Sequence, residues 1–173
     1  MVDLSDSKLN LLFAQILQQS MSWEYLGGKR FSNCCHEESD WRLLPFLVIV
    51  CPLESYYLSR IEDSGIIEVG PGEALLVPSG IKHTVAMPES GVLHYTHIRF
   101  TIFDSLDIMR FFRIPFKISG DTAKQISDAT SEINEAMEPP SPDSAISQAI
   151  RRQEISSRLL RLITSTAQSK NIN

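Results

Sequence analysis

The stretch Gly70-Pro71-Gly72-Glu73-Ala74-Leu75-Leu76-Val77-Pro78-Ser79-Gly80-Ile81-Lys82-His83 limits what this chain can fold into more than any other. Two turn-forming clusters, Gly70-Pro71-Gly72 and Pro78-Ser79-Gly80, enclose a short apolar run from Ala74 to Val77. Glycine reaches the positive φ that tight turns require, and proline holds φ near about −65° and removes a backbone donor, so each cluster ends a strand abruptly. A chain turned back at such close intervals reads as the strands of a small barrel or sandwich. His83 stands just past the second turn.

The neighbouring segments fit the same reading. Leu43 to Cys51 is nearly all apolar, as expected of a strand covered on both faces, and Pro45 and Pro52 place it near an edge or a bulge. Tyr56–Ile61 and Ile66–Val69 flank Glu62-Asp63-Ser64-Gly65, a hairpin loop with Gly65 at the position needing positive φ. A strand is expected from His83 to Met87, then a turn at Pro88-Glu89-Ser90-Gly91, then a long strand from Val92 to Phe103. Alternation on that strand puts His94, Thr96, Ile98, Phe100 and Ile102 on one side, which suits packing under helices. Leu93, Tyr95, His97, Arg99 and Thr101 fall on the other, which suits a wet interior.

Helical spacing appears at both ends. Leu9, Leu12, Phe13, Ile16 and Leu17, with Ser5 or Asp6 as a cap, predict an N-terminal helix within residues 1–24. Gly27-Gly28 is expected to break the chain, and Lys29 to Asp40 to form a loop or an irregular edge strand. After Phe103, Asp104 can cap a short helix through Phe112, and Ile114 to Ile118 reads as a brief extended piece. Asp121 can cap a helix through Met137, with Ala123, Ile126, Ala129 or Thr130, and Ile133 on one face. Pro139 to Asp143 is a stiff linker. A last helix, 144–168, carries the apolar stripe Ile146, Ile150, Ile155, Leu159, Leu162 and Ile163, beside a basic face holding Arg151, Arg152, Arg158 and Arg161.

Composition excludes several classes. With 173 residues, 43% of them hydrophobic, the chain can bury one substantial core. No apolar run approaches the roughly 20 residues of a membrane span, and no basic region followed by an apolar core marks a secretory leader, so a cytoplasmic protein is expected. The net charge of −5 argues against this chain holding nucleic acid by itself. Cys34, Cys35 and His36 could donate to a metal, but without a second cluster neither a zinc ribbon nor a disulfide framework is expected.

Gly72, Pro78-Ser79-Gly80 and His83 reproduce the second sequence motif of the cupin superfamily, a small antiparallel β-barrel, with Met87 where many metal-binding cupins have asparagine. The first cupin motif, His-x-His followed by glutamate, is not found before the Leu43 strand. From about residue 25 to 168 the chain resembles the N-terminal effector-binding and dimerisation domain of AraC-type transcriptional regulators. The resemblance rests on Trp41 opening the apolar strand, on VGPGEALLVPSGIKHTV, on YTHIRF, and on two helices separated by a loop. It implies a mainly β fold with flanking helices: a cupin-like antiparallel β-barrel (jelly roll) at 25–103, then a helical segment at 104–173. The linker would be 139–143 and the dimerisation helix 144–168. It further implies a homodimer that binds a small-molecule effector, often a sugar, and meets DNA only through a separate domain, which is not expected before Asn173.

The candidate ligand-binding residues are His83, Tyr95, His97 and Arg99. Tyr95 and His97 offer flat faces and hydrogen-bonding atoms, and Arg99 could fork onto a carboxylate or phosphate. The resemblance places His97 where the arabinose-binding member of the family stacks an aromatic residue on its sugar, and His83 where that member has a polar pocket residue. No catalytic residue, metal or cofactor is assigned. The alternative is a metal-dependent cupin enzyme, an oxygenase or isomerase, for which His83, His97 and Glu54 or Glu68 are the raw material.

Overall fold

The computed structural model describes residues 15–16, 19–139 and 144–169. The predicted N-terminal helix and the predicted linker at 139–143 therefore lie largely outside the described residues. Along the chain the strands are β1 (Met21–His36), β2 (Arg42–Leu43), β3 (Leu47–Pro52), β4 (Tyr57–Ile61), β5 (Gly65–Val69), β6 (Ala74–Val77), β7 (Lys82–His83) and β8 (Met87–Ile102). They continue with β9 (Leu106–Asp107), a 3-10 turn (Ile108–Phe111), β10 (Phe112–Arg113), β11 (Lys117–Ile118), helix α1 (Gly120–Ala136), helix α2 (Ala145–Ser165) and β12 (Gln168–Ser169).

Two antiparallel sheets face each other. The larger runs β1-β8-β3-β6-β11, with β9 on β8, and the smaller runs β2-β7-β4-β5. Strand β3 is buried along its whole length, and its alternation divides two cores. Val48 and Val50, with Leu75 and Val77 of β6 and Leu93 of β8, pack against Tyr57, Ile61 and Val69 of the smaller sheet. Leu47, Ile49 and Cys51, with Leu76, Ile98 and Phe100, pack under the helices. Each such apolar side chain contributes about 1.5–3 kcal/mol on burial. The turns around β6 use glycine at positive φ, Gly72 at 82° and Gly80 at 74°.

Three local expectations give way to longer-range pairing. Gly27-Gly28 does not break the chain: β1 runs through it, with a register shift against β8 between Tyr25 and Gly27. Any side chain at Gly28 would collide with Asn134 of α1 and with Tyr95 O and Thr96 Oγ1 of β8, so the glycine allows close approach rather than a turn. Nor does the chain turn at Pro88 to Gly91, because β8 is one strand of 16 residues there. β3 reaches along β8 only from Ile98 to Leu93, so Pro88 sits where β8 has β1 alone as a neighbour and its missing donor is tolerated. The helix expected from Asp104 is a short 3-10 turn instead. Asp107 caps it, accepting from Met109 N at 2.8 Å, and Asp107 also accepts from the Ser79 hydroxyl.

The helices fall where their periodicity predicts, but the apolar stripe of α2 is divided. Ile155, Leu159 and Ile163 are buried against α1 and the larger sheet, in one cluster with Ile126, Ala129 and Ile133. Leu162 is half-buried at its margin, whereas Ile146 and Ile150 are 79% and 55% exposed. Three of the six residues assigned to dimerisation are thus consumed by the chain's own core. Helical spacing identifies an apolar face without saying what covers it. Part of the basic face also turns inward to α1: Arg158 pairs with Glu132 at 2.7 Å, and Arg152 Nε donates to Ala136 O at 2.6 Å, satisfying a carbonyl at the end of that helix.

Leu159→Ala should therefore cost about 2–5 kcal/mol in urea denaturation, while Glu154→Ala, at an exposed position of the same helix, should stay within about 0.5 kcal/mol of the parent. Equal costs would contradict the packing of α2 described above.

Candidate functional site

Strand parity carries Leu93, Tyr95 and His97 of β8 and Val48 and Val50 of β3 into one wall of a cavity of about 410 Å³ between the sheets. Phe31 of β1 extends that wall, and Tyr57 and Val85 face it. Glu37, Ser39 and Arg42 also line it, on the segment joining β1 to the smaller sheet. That segment is tied down by its neighbours. Ser39 N donates to Val85 O at 2.8 Å, Val85 N donates to the Ser39 hydroxyl at 3.1 Å, and the Thr84 hydroxyl donates to Glu38 at 2.6 Å. The β2–β7 register then sets Arg42 opposite His83.

Flat rings form a row along this wall. Ring centroids are 5.6 Å apart for Phe31 and Tyr95, 5.1 Å for Tyr95 and His97, and 5.0 Å for His97 and Phe46. All three pairs are tilted, within the range of favourable ring contacts.

His83 is fully buried. Its Nδ1 lies 2.9 Å from Ile81 O, which assigns the proton to Nδ1, donating to that carbonyl, and leaves Nε2 as a bare acceptor with no hydrogen-bond partner. Burial pushes the His83 imidazole below its ordinary pKa, and the Arg42 charge adds to this against the Ile81 bond. His97 is lowered for the same first reason, burial, with Arg42 and His83 contributing. The site therefore combines a permanent cation with two imidazoles held in the uncharged state. Arg42 Nε is itself buried without a hydrogen-bond partner.

The sequence-predicted residues separate at this point. Tyr95 and His97 line the cavity, and His83 lies behind the lining, next to both Arg42 and His97. Arg99 does not join them. Its Nε donates to Pro45 O at 3.1 Å and its Nη1 to Glu24 at 3.2 Å, a local pairing at the strand end. Sequence reasoning missed Arg42, Phe31 and Phe46. β2 is two residues long, too short for alternation to orient Arg42, and Phe31 lies in the stretch expected as a loop or an irregular edge strand, which is the irregular edge strand β1.

Among the described residues no three His, Cys, Asp or Glu side chains are grouped to hold a metal ion. Glu54 and Glu68 are exposed and do not line the cavity. Burial pushes the Cys51 thiol up to about 12, which makes it a packing residue rather than a nucleophile. A larger depression of about 740 Å³ lies outside the sheets, between β1, β8 and α1, and includes His94. It is lined by charges of both signs, among them Lys29, Arg30, Glu135 and Glu138. The smaller cavity, with mainly apolar walls and a few converging polar groups, has the character of a ligand site.

No protein-family model matches the sequence, and no curated protein matches it. Among solved structures, the chain is similar to an RmlC-like cupin from Shewanella frigidimarina, at 16% identity over 46% of this chain and 76% of that one, with a TM-score of 0.36. It is also similar to an RmlC-like cupin with a double-stranded β-helix fold from Methanocaldococcus jannaschii, at 14% identity over 41% of this chain and 63% of that one, TM-score 0.33. A third is Bacillus subtilis oxalate decarboxylase, at 16% identity over 40% of this chain and 19% of that one, TM-score 0.32. No activity, ligand or metal is carried over from these proteins. None of the helices among the described residues is long and apolar enough to cross a membrane.

The imidazoles have a consequence for stability. His83, His94 and His97 all hold protons less readily in the folded chain than in the unfolded one. Below the ordinary imidazole value of about 6.5 the unfolded state takes up protons that the folded state refuses, so stability falls as pH drops and recovers toward neutrality. The lowered carboxyls of Glu38 and Glu73, held by hydrogen bonds from Thr84 and Lys117 respectively, act only further down, below about pH 4.5. The Tm should fall between about pH 7 and 5.5, with a shallower slope in His97→Gln; a flat or inverted curve would contradict the uncharged histidines.

Proposed function

We propose that this chain is the small-molecule-sensing module of an AraC-type transcriptional regulator, with a cupin-like barrel that takes its effector between the two sheets. The observation that carries the reading is the cavity of about 410 Å³ with its row of flat rings and its uncharged histidine. That volume falls in the range of sites for small metabolites, and the lining mixes apolar walls with a few directional polar groups. The module acts as a homodimer, and DNA is met through a separate domain, in keeping with the net charge of −5. The exposed Ile146 and Ile150 are the part of the α2 stripe left for a partner subunit.

Sensing requires that ligand distinguish two arrangements of the protein. The segment 37–42 is suited to this. It carries Glu37, Ser39 and Arg42 to the cavity, and the bonds of Glu38 to Thr84 and Arg60 and of Ser39 to Val85 couple it to the smaller sheet and to the 84–85 connection. A ligand that engages Arg42 anchors the whole segment, and the change reaches β1 and the sheet edge beside the helices.

The test is thermal melting with a panel of sugars, sugar acids and aromatic metabolites, each compared with Tyr95→Ala. A ligand at about one hundred times its Kd should raise the Tm by roughly 5–10 °C, and Tyr95→Ala should abolish most of that shift. A panel with no effect, or a shift that Tyr95→Ala leaves intact, would sink the reading.

A further inference from the structure

We propose that the ligand of this cavity is a small monocarboxylate with a flat apolar body, its carboxylate held by Arg42 and its body laid along Tyr95 and His97. This rests on the effector-binding reading above and specifies its chemistry.

Arg42 is the starting point. A guanidinium stays charged at any physiological pH and presents its donors as a fork, and a buried donor without a partner is costly. Arg42 lines the cavity, its Nε is buried without a hydrogen-bond partner, and none of the ion pairs among the described residues involves it. Arg99, by contrast, is already engaged by Glu24 and Pro45. Of the two arginines, Arg42 is therefore the one left to meet an anion in the cavity. A carboxylate matches the fork in shape and charge.

The surroundings select the rest of the molecule. His83 and His97 are uncharged, so the cavity offers one cation rather than three, and Glu37 on the lining has an interaction of its own and opposes a second negative charge. A singly charged anion fits this balance, whereas a phosphate dianion does not. Val48, Val50 and Leu93 supply apolar wall, and the tilted rings of Tyr95 and His97 offer faces rather than a dense set of hydroxyl partners. That favours a planar hydrocarbon body over a polyol.

Calorimetric titration of the full chain with benzoate, 3-phenylpropionate and indole-3-acetate tests this, against their neutral amides, phenyl phosphate, glucose and gluconate. At least one aromatic carboxylate should bind, and its amide roughly 10- to 100-fold more weakly. Arg42→Gln should remove that preference while leaving the amide's affinity nearly unchanged, and Arg42→Lys should restore part of it; unaltered melting of the variants confirms that they fold. Equal binding of acid and amide, or stronger binding of phenyl phosphate or gluconate, would overturn the carboxylate inference and leave effector binding standing. If no compound in this panel or the broader one binds, both fail.

Discussion

The pairing of β8 with β3 is the constraint on which the rest of the molecule depends. Val48 lies opposite His97 and Ile49 opposite Thr96, and in this register both strands send alternate side chains to two different places. One set, Leu93, Tyr95 and His97 with Val48 and Val50, faces the smaller sheet. The other, Ile98 and Phe100 with Leu47, Ile49 and Cys51, meets the helices. A slip of one residue would exchange the sets, sending the polar and aromatic groups of the cavity under α1. Since both faces are covered, such a slip is opposed from both sides.

A second, much shorter pairing assembles the chemistry. β2 and β7 have two residues each, yet their register sets Arg42 against His83, which also pairs with Ile61 of β4. The polar groups of the site thus come from pieces remote in sequence, residues 37–42, 81–85 and 93–97, set against apolar wall from β1, β3 and β4. Burial, with Arg42 adding to it, lowers the pKa of His83 and His97 and keeps them uncharged. The result is a place with one fixed positive charge and flat ring faces, backed by the buried imidazole of His83.

How far the sequence revealed this depends on the range over which each feature is decided. The buried strand between Gly72 and Gly80, the hairpin at Gly65 and the double-sided burial of β3 were legible, because turn sterics and an unbroken apolar run act within a few residues. The two faces of β8 were legible for the same reason. Gly27-Gly28 and Pro88 favour breaks locally, but a neighbouring strand supplies hydrogen bonds that local propensity does not count. Parity places Tyr95 and His97 on the cavity wall, while Arg99, on the same face by parity, is drawn instead to Glu24, 75 positions away.

The sequence by itself determined the buried strands between the glycine turns, the two main helices, which side chains share a face, and that the chain is acidic and mostly β. Those properties follow from backbone sterics, from the two- and 3.6-residue periods, and from composition. Only the tertiary structure decided what covers each face: that Leu159 and Ile163 meet α1, that Arg42 and not Arg99 reaches the cavity, and that His83 keeps an unpaired nitrogen. The reason is physical. Register and helix docking are set by the packing of many residues distant in sequence, so no short window contains the energy difference that selects them.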